Sequence, residues 1–177
     1  AEPLGLTVAG LNVWDNMRLI DYLATRGDIA MDDLGCFGFS GGGYMTLYLA
    51  ALDPRVRKAF VSGYLYGVGD SLLHLNGNCS CNYTPGLWRL LDMGDIASLI
   101  APRPLLVQSC EEDHLNGSRG LKNVDEQLKI VRDAYKLLGR RDALRHEVCP
   151  GGHHLGVTHL VEDIEWLDSH VAKCDRA

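Results

Sequence analysis

Apolar residues recur along the chain with two alternating spacings, one typical of buried strands and the other of amphipathic helices. Short apolar runs predict four strands, at roughly 33–38, 58–63, 105–109 and 144–149. Helical spacing predicts helices over roughly 14–26, 44–52, 95–100, 121–138 and 157–171. This alternation is typical of right-handed βαβ units. The sequence therefore predicts one α/β domain over 1–177, a three-layer α/β/α arrangement with a parallel sheet of about four strands.

The first predicted strand ends in the letters GFSGG, from position 38 to 42, and a helix follows at once. A G-x-S-x-G motif between a strand and a helix is typical of a nucleophile elbow. Such a tight turn needs close backbone approach, which side chains at Gly38 and Gly42 would block. The spacing matches neither a P-loop nor a dinucleotide-binding fingerprint. We therefore predict that Ser40 is a nucleophile and that the Gly41 N–H, at a helix N-terminus, is an oxyanion-hole donor.

A nucleophilic serine needs a base and a carboxylate that orients the base, and an elbow predicts the order Ser, acid, His along the chain. Three acids, Glu111, Glu112 and Asp113, follow the third predicted strand, and Asp113 is our choice. Two histidines follow the fourth strand, and we choose His153 as the base, with His154 as the alternative. The other five histidines are interpreted as surface or packing residues: His74, His114, His146, His159 and His170.

Three separated segments resemble the C-terminal part of an α/β-hydrolase, most closely the acetyl xylan esterase-like and dienelactone hydrolase-like esterases. They are residues 35–43 around the elbow, residues 95–106 with the letters APRP, and residues 150–154, which read PGGHH. The resemblance implies G-x-x-D at the acid, where Cys110 replaces the glycine and Asp113 is the matching acid. It also implies an eight-stranded sheet, so we expect a shortened α/β-hydrolase fold of about four strands in this chain, without the first half of the sheet.

The residues and the resemblance together predict a serine carboxylesterase that hydrolyses short, acetyl-type esters through an acyl-enzyme. The resemblance suggests acetylated sugars or aryl acetates as substrates. The alternatives are a dienelactone hydrolase or peptidase-like hydrolase, or a catalytically weak fragment that acts as a binding or assembly module. The last alternative stays open because the second oxyanion donor normally belongs to a loop in the absent half, and losing one donor costs about 10² to 10³ in rate.

The stretch from about 64 to 92 interrupts the βαβ alternation and is rich in apolar and aromatic residues. We predict an insert that flanks the active site, although packing over the end of the sheet would explain most of it. Phe39, Tyr64 and Trp88 are the candidate substrate-binding residues. No cofactor and no metal are expected, because the C-x-C spacing of Cys79 and Cys81 suits structural zinc poorly.

Net charge and hydropathy bear on the partners. The formal net charge is −6, without a block of Lys and Arg, which argues against nucleic acid or an anionic membrane as partner. No apolar run is long enough to span a membrane, so we expect a soluble chain, with the cytoplasm favoured. The elbow strand lacks the neighbour that the full fold would supply. We therefore expect a homo-oligomer that covers this edge, or a separate segment in the same place.

Overall fold

Four parallel strands form a single sheet in the computed structural model, which describes residues 2–74 and 79–174. The strands are β1 (Gly35–Phe39), β2 (Lys58–Ser62), β3 (Leu105–Cys110) and β4 (Leu144–Cys149), and their order across the sheet is the order in the chain. The register places Phe37 beside Phe60, and Cys110 beside Cys149. The predicted parallel sheet of four strands is therefore confirmed, and no strand end differs from its predicted position by more than two residues.

Five α-helices connect and flank the described strands: α1 (Val8–Ala24), α2 (Gly41–Leu52), α3 (Met93–Ser98), α4 (Leu121–Leu137) and α5 (Leu160–Cys174). α1 begins earlier than the apolar spacing predicts, because Thr7 caps it and its hydroxyl oxygen accepts from the Gly10 N–H at 2.9 Å. α3 begins at Met93 because Asp92 and Asp95 form a capping box. Polar capping residues thus determine where α1 and α3 begin, and the spacing of apolar residues does not reveal such caps.

The helices lie on both faces of the sheet, as the alternation of core residues along the strands shows. Val61 and Val107 belong to the main core with residues of α1 to α4, whereas their strand neighbours Phe60 and Leu106 pack with Leu167 of α5. Successive strand residues point to opposite faces, so the two clusters lie on opposite sides. The predicted α/β/α layering is confirmed.

Among the residues that the structure describes, no strand lies beside the outer side of β1. The Phe37 side chain lies on the α5 face with its ring centroid 4.8 Å from that of Phe60, and it is 50% exposed. Ile164 of α5 is 47% exposed and lines the same apolar groove, which has a volume of about 200 Å³. The edge next to the elbow therefore exposes apolar side chains as well as backbone.

The stretch from 64 to 92 contains three short 3-10 helices, at Leu72–His74, Ser80–Asn82 and Leu87–Arg89, and positions 75–78 of the predicted insert lie outside the described residues. Its first part is core, since Leu65, Tyr66 and Val68 are buried against the main cluster. Cys79 and Cys81 are paired as a disulfide. No described helix is long and apolar enough to cross a membrane.

Candidate active site

Ser40 lies at the turn between β1 and α2, with backbone dihedrals of φ +54° and ψ −117°. Within the described part of the chain, no other residue except glycine has a positive φ. Its N–H donates to the Ser62 carbonyl of β2, and its carbonyl accepts from the Tyr44 N–H of α2, both at 2.9 Å. Backbone strain of this kind costs about 1–3 kcal/mol and persists only where neighbours fix it. These two hydrogen bonds hold the serine at the tip of the turn.

The glycines around Ser40 have different structural reasons. A Cβ at Gly38 would lie 2.1 Å from the Gly42 carbonyl oxygen, so the predicted need for glycine at Gly38 is confirmed. The prediction for Gly42 is wrong, because a Cβ there would meet nothing within 4 Å. The second tight position is Gly43, whose Cβ would lie 2.6 Å from the Ser62 carbonyl oxygen of β2. The close approach is thus between the backbone of α2 and the two strands beneath it.

Three of the predicted residues come together at the carboxyl ends of the strands. The His153 Nδ1 lies 2.7 Å from the Asp113 Oδ2, and its Nε2 lies 2.7 Å from the Ser40 Oγ. A carboxylate only accepts hydrogen bonds, so Nδ1 carries the hydrogen and donates to Asp113. In the neutral ring, Nε2 is then the acceptor for the Ser40 hydroxyl. This arrangement suits removal of a proton from a serine.

The acid and base loops separate the alternatives by geometry. Asp113 is 3% exposed, and its other oxygen, Oδ1, accepts from the Leu115 N–H at 2.9 Å, whereas Glu111 and Glu112 are exposed. His154 is exposed too, and its Nδ1 lies 2.8 Å from the Gly152 carbonyl oxygen. Of the candidates, the structure therefore brings only Asp113 and His153 to Ser40.

Two aromatic rings lie beside the catalytic candidate His153. The Phe39 ring centroid is 4.7 Å from that of His153, which places this predicted substrate-binding residue at the site. The His114 ring is 5.9 Å from His153 in an edge contact, and its side chain is 67% exposed. The sequence analysis interpreted His114 as a surface or packing residue. Its position directly after the acid was the signal that could have placed it at the rim.

The other two predicted substrate-binding residues are not beside Ser40. Tyr64 is 2% exposed, its hydroxyl donates to the Asn82 Oδ1, and its ring packs against Tyr44 and Tyr66. Trp88 is half-buried and lines a separate cavity. None of Ser40, Asp113 and His153 lines that cavity. Tyr64 is therefore a core residue, because both its ring and its hydroxyl have partners in the interior. Apolar composition alone does not tell such packing from a pocket wall.

Gly41 is the first residue of α2, so its N–H has no acceptor within the helix. A Cβ at Gly41 would meet nothing within 4 Å, so the space beside this residue is open. The N-terminal end of a helix favours negative charge through its dipole and its free N–H groups. The turn can therefore supply one hydrogen-bond donor next to the Ser40 Oγ.

Burial also holds two titratable side chains on β3 and β4 neutral. Burial raises the pKa of the Cys110 thiol, whose sulfur lies 3.6 Å from the His154 Nδ1. Burial, with a contribution from Arg132, lowers the pKa of His146 to about 4. His146 is therefore a neutral packing residue, as the sequence indicated. Within the described residues, no group of three or more His, Cys, Asp or Glu side chains could hold a metal ion.

The amino-acid sequence is similar to those of known hydrolases. A model of the prolyl oligopeptidase family matches residues 9–77, which include the elbow. The Bacillus subtilis (strain 168) protein named "Putative hydrolase YtaP" is 30% identical over 151 residues, which are 84% of this chain and 50% of that protein. This chain thus spans about half the length of the curated relative that it matches.

Several solved structures of similar fold are esterases by title. A carbohydrate esterase family 15 glucuronoyl esterase from Caldicellulosiruptor kristjansonii has a TM-score of 0.73 at 16% identity, covering 91% of this chain and 49% of that one. The chain has an α/β-hydrolase fold. A Bacteroides fragilis protein titled "putative acetyl xylan esterase" has a TM-score of 0.67 at 22% identity, covering 83% and 37% of the two chains. The α/β-hydrolase resemblance drawn from the three sequence segments is confirmed.

Proposed function

We propose that this chain carries the catalytic residues of a serine carboxylesterase that hydrolyses short, acetyl-type esters. The observation that carries the proposal is the pair of 2.7 Å contacts from His153 to Ser40 and to Asp113, made at a strained elbow. An ordinary surface serine has no reason to occupy a strained dihedral region. A nucleophile does, because the turn exposes its oxygen to a substrate.

The proposed reaction proceeds by two acyl transfers. The Ser40 Oγ attacks the ester carbonyl carbon while His153 Nε2 takes the hydroxyl proton, and Asp113 stabilises the imidazolium. The oxyanion accepts from the Gly41 N–H. When the C–O bond breaks, His153 returns the proton to the leaving alcohol. Water then attacks the acyl-enzyme with the same base, which releases the acid and restores Ser40.

The proposed preference for short acyl groups has two supports. The Phe39 ring lies 4.7 Å from the ring of His153, so an acyl group on that side of the base has to fit beside an aromatic side chain. One protein of the same fold is titled "putative acetyl xylan esterase", a name that implies a small acyl group on a carbohydrate. The proposed substrate is therefore a small ester of an acetyl-type acid, and no cofactor takes part in the steps above.

The test compares hydrolysis of p-nitrophenyl acetate by the wild-type chain and by Ser40→Ala, with labelling by a fluorophosphonate as a second measurement. Ser169→Ala, at an exposed position on α5, is the matched control. We expect Ser40→Ala to lose both hydrolysis and labelling, and Ser169→Ala to keep both. Equal rates in the wild type and in Ser40→Ala would refute the esterase and leave the weak fragment, acting as a binding or assembly module.

A peptidase is the second candidate, because the matching family model is that of the prolyl oligopeptidases. An ester and an anilide with the same acyl group separate the two activities. Cleavage of the ester alone supports the esterase. Cleavage of a prolyl anilide at a comparable or higher rate would move the assignment to the peptidase.

We also propose that the chain self-associates through the free edge of β1. The edge strand has five residues with Phe37 at its centre, and the Phe37 side chain is 50% exposed. An unpaired strand edge can pair with a second copy of itself. A two-fold axis near Phe37 would then join the two sheets into one continuous sheet. Light scattering on the wild type and on Phe37→Lys tests this. A dimer that the substitution converts to a monomer supports the proposal. A monomeric wild type would refute it and leave a separate covering segment.

A further inference from the structure

Gln108 carries a buried amide on β3 that is hydrogen-bonded to the backbone of another loop. The side chain is 2% exposed. Its Nε2 donates to the Gly156 carbonyl oxygen, and its Oε1 accepts from the Gly156 N–H, both at 3.0 Å. The same Oε1 accepts from the Ser62 hydroxyl of β2 at 2.9 Å. Because it exchanges a donor and an acceptor with one residue, the amide does what a neighbouring strand would do.

Gly156 belongs to the loop that carries His153, between the end of β4 and the start of α5. The first part of this loop is held by the acid loop, since the Glu112 N–H donates to the Gly151 carbonyl at 2.9 Å. The Gln108 amide holds the loop again, three residues after His153. His153 thus lies between two attachments, one on each side along the chain.

The attachment at Gly156 leaves no room for movement toward the sheet. A Cβ at this position would lie 2.2 Å from the Cys149 sulfur and 3.1 Å from the Gln108 Nε2. The backbone therefore packs directly on the end of β4. By contrast, a Cβ at Gly152 in the same loop would meet only the Glu112 carbonyl oxygen, at 3.9 Å.

We propose that Gln108 is a positioning residue, which holds the His153 imidazole in line with Ser40 by clamping Gly156 to the sheet. The inference rests on the proposed function. Without the amide, the N–H and carbonyl of Gly156 would be buried without partners, and the loop would have to move to reach water. A misplacement of about 1 Å between reacting groups can cost about 10²-fold in rate.

The experiment compares Gln108→Met with Gln127→Met in the full chain. Gln127 is a second buried amide, 6% exposed, whose Oε1 accepts from the Gly94 N–H at 2.8 Å and whose Nε2 donates to Asp92 at 3.2 Å. Both substitutions remove buried hydrogen bonds and should lower the Tm similarly. Well below both transitions, we expect Gln108→Met to lose at least about tenfold in kcat for p-nitrophenyl acetate with little change in KM. Gln127→Met should keep the wild-type kcat.

A glycine pair tests the same clamp from the loop side, in case Gln108→Met does not fold. Gly156→Ala forces the loop off the amide, whereas Gly152→Ala is accommodated in open space. We expect a loss of kcat in the first variant and the wild-type kcat in the second. Equal kcat values in Gly156→Ala, Gly152→Ala and the wild type would overturn the proposal.

A proton NMR readout keeps this inference separate from the proposed function. The Nδ1–H of His153 donates to Asp113 and should give a slowly exchanging downfield resonance in the wild type, whether or not the chain hydrolyses esters. We expect that resonance to broaden or disappear in Gln108→Met and to persist in Gln127→Met. An inactive wild type would count against the esterase alone. An unchanged resonance in Gln108→Met would overturn the clamp.

Discussion

Two glycines four residues apart in the elbow should respond in opposite ways to the same added methyl group. In Gly38→Ala, the new Cβ would lie 2.1 Å from the Gly42 carbonyl oxygen and 2.2 Å from its carbon. All of these are backbone atoms, so no side chain can rotate away. Relief requires β1 and α2 to separate by roughly 1 Å, in a core that is packed like a crystal. In Gly42→Ala, the methyl group enters open space.

The magnitudes follow from these two environments. Overpacking a close-packed site costs about 1–3 kcal/mol, and we expect Gly38→Ala at the upper end because both sides of the contact are backbone. Gly42 lies in α2, where alanine is favoured over glycine by about 1 kcal/mol. The two variants should therefore differ by about 4 kcal/mol in the free energy of unfolding. For a domain of this size, that corresponds to about 8–16 °C in Tm.

Thermal unfolding followed by far-UV circular dichroism measures this difference, with urea denaturation as a check on the free energy. We expect Gly42→Ala to unfold at or above the wild-type Tm and Gly38→Ala well below it. The m-values should agree, so that the shift reports stability and not a change in the denatured state. If Gly38→Ala unfolds at the wild-type temperature, or if Gly42→Ala is the less stable of the two, the description of the elbow is wrong.

Two further predictions concern carboxyl groups. Asp113→Asn should keep the fold but lower kcat for p-nitrophenyl acetate by about 10⁴-fold, because an amide does not hold His153 in the required tautomer; a loss below tenfold, with an unchanged circular dichroism spectrum, would exclude this role. Burial raises the pKa of Glu147, and the neighbouring Asp163 raises it further. The folded state therefore holds this proton more tightly than the unfolded state does. As a result, the free energy of unfolding falls as the pH rises from about 4.3 through the raised pKa. Glu147→Gln removes this penalty, so its unfolding free energy relative to the wild type should increase between pH 4 and pH 7, and a pH-independent difference in urea titrations would contradict it.

The sheet could be predicted from the sequence because parallel strands covered on both faces are short apolar runs. The segment 105–109 is of this kind, and the corresponding strand β3 is buried throughout. The helix starts were harder, since α1 begins after a threonine cap, nearly two turns before the predicted start at 14. The stretch from 64 to 92 was the hardest, because Tyr64 and Trp88 are apolar wherever they lie. Only the fold decides that Tyr64 is part of the core.

Of the residues at the candidate site, only those with a local sequence signal could be predicted with certainty from the sequence. Ser40 could be predicted because a strained elbow leaves a local signature in its glycines, although the signature pointed to Gly42 where the tight contact is at Gly43. The choice between His153 and His154 is set by a contact 113 residues away in the chain, which no local pattern encodes. The role of the Gln108 amide was harder still to predict, because nothing in the local sequence around a glutamine in an apolar strand indicates which loop it will bind.

The exposed edge of β1 lies next to the candidate nucleophile. Ser40 follows the last residue of β1 directly, so whatever pairs with that strand also lies next to the position where an oxyanion would form. Gly41 supplies one donor, and a second donor is worth about 3–4 kcal/mol in the transition state. A covering strand would therefore contribute to the rate as well as to stability, because backbone N–H groups that run alongside the elbow are the kind of donor that an oxyanion needs. On this reasoning, a substitution next to the free edge of β1, such as Phe37→Lys on the α5 face, should lower kcat for p-nitrophenyl acetate together with the oligomeric state, although the Phe37 side chain is not one of the reacting groups.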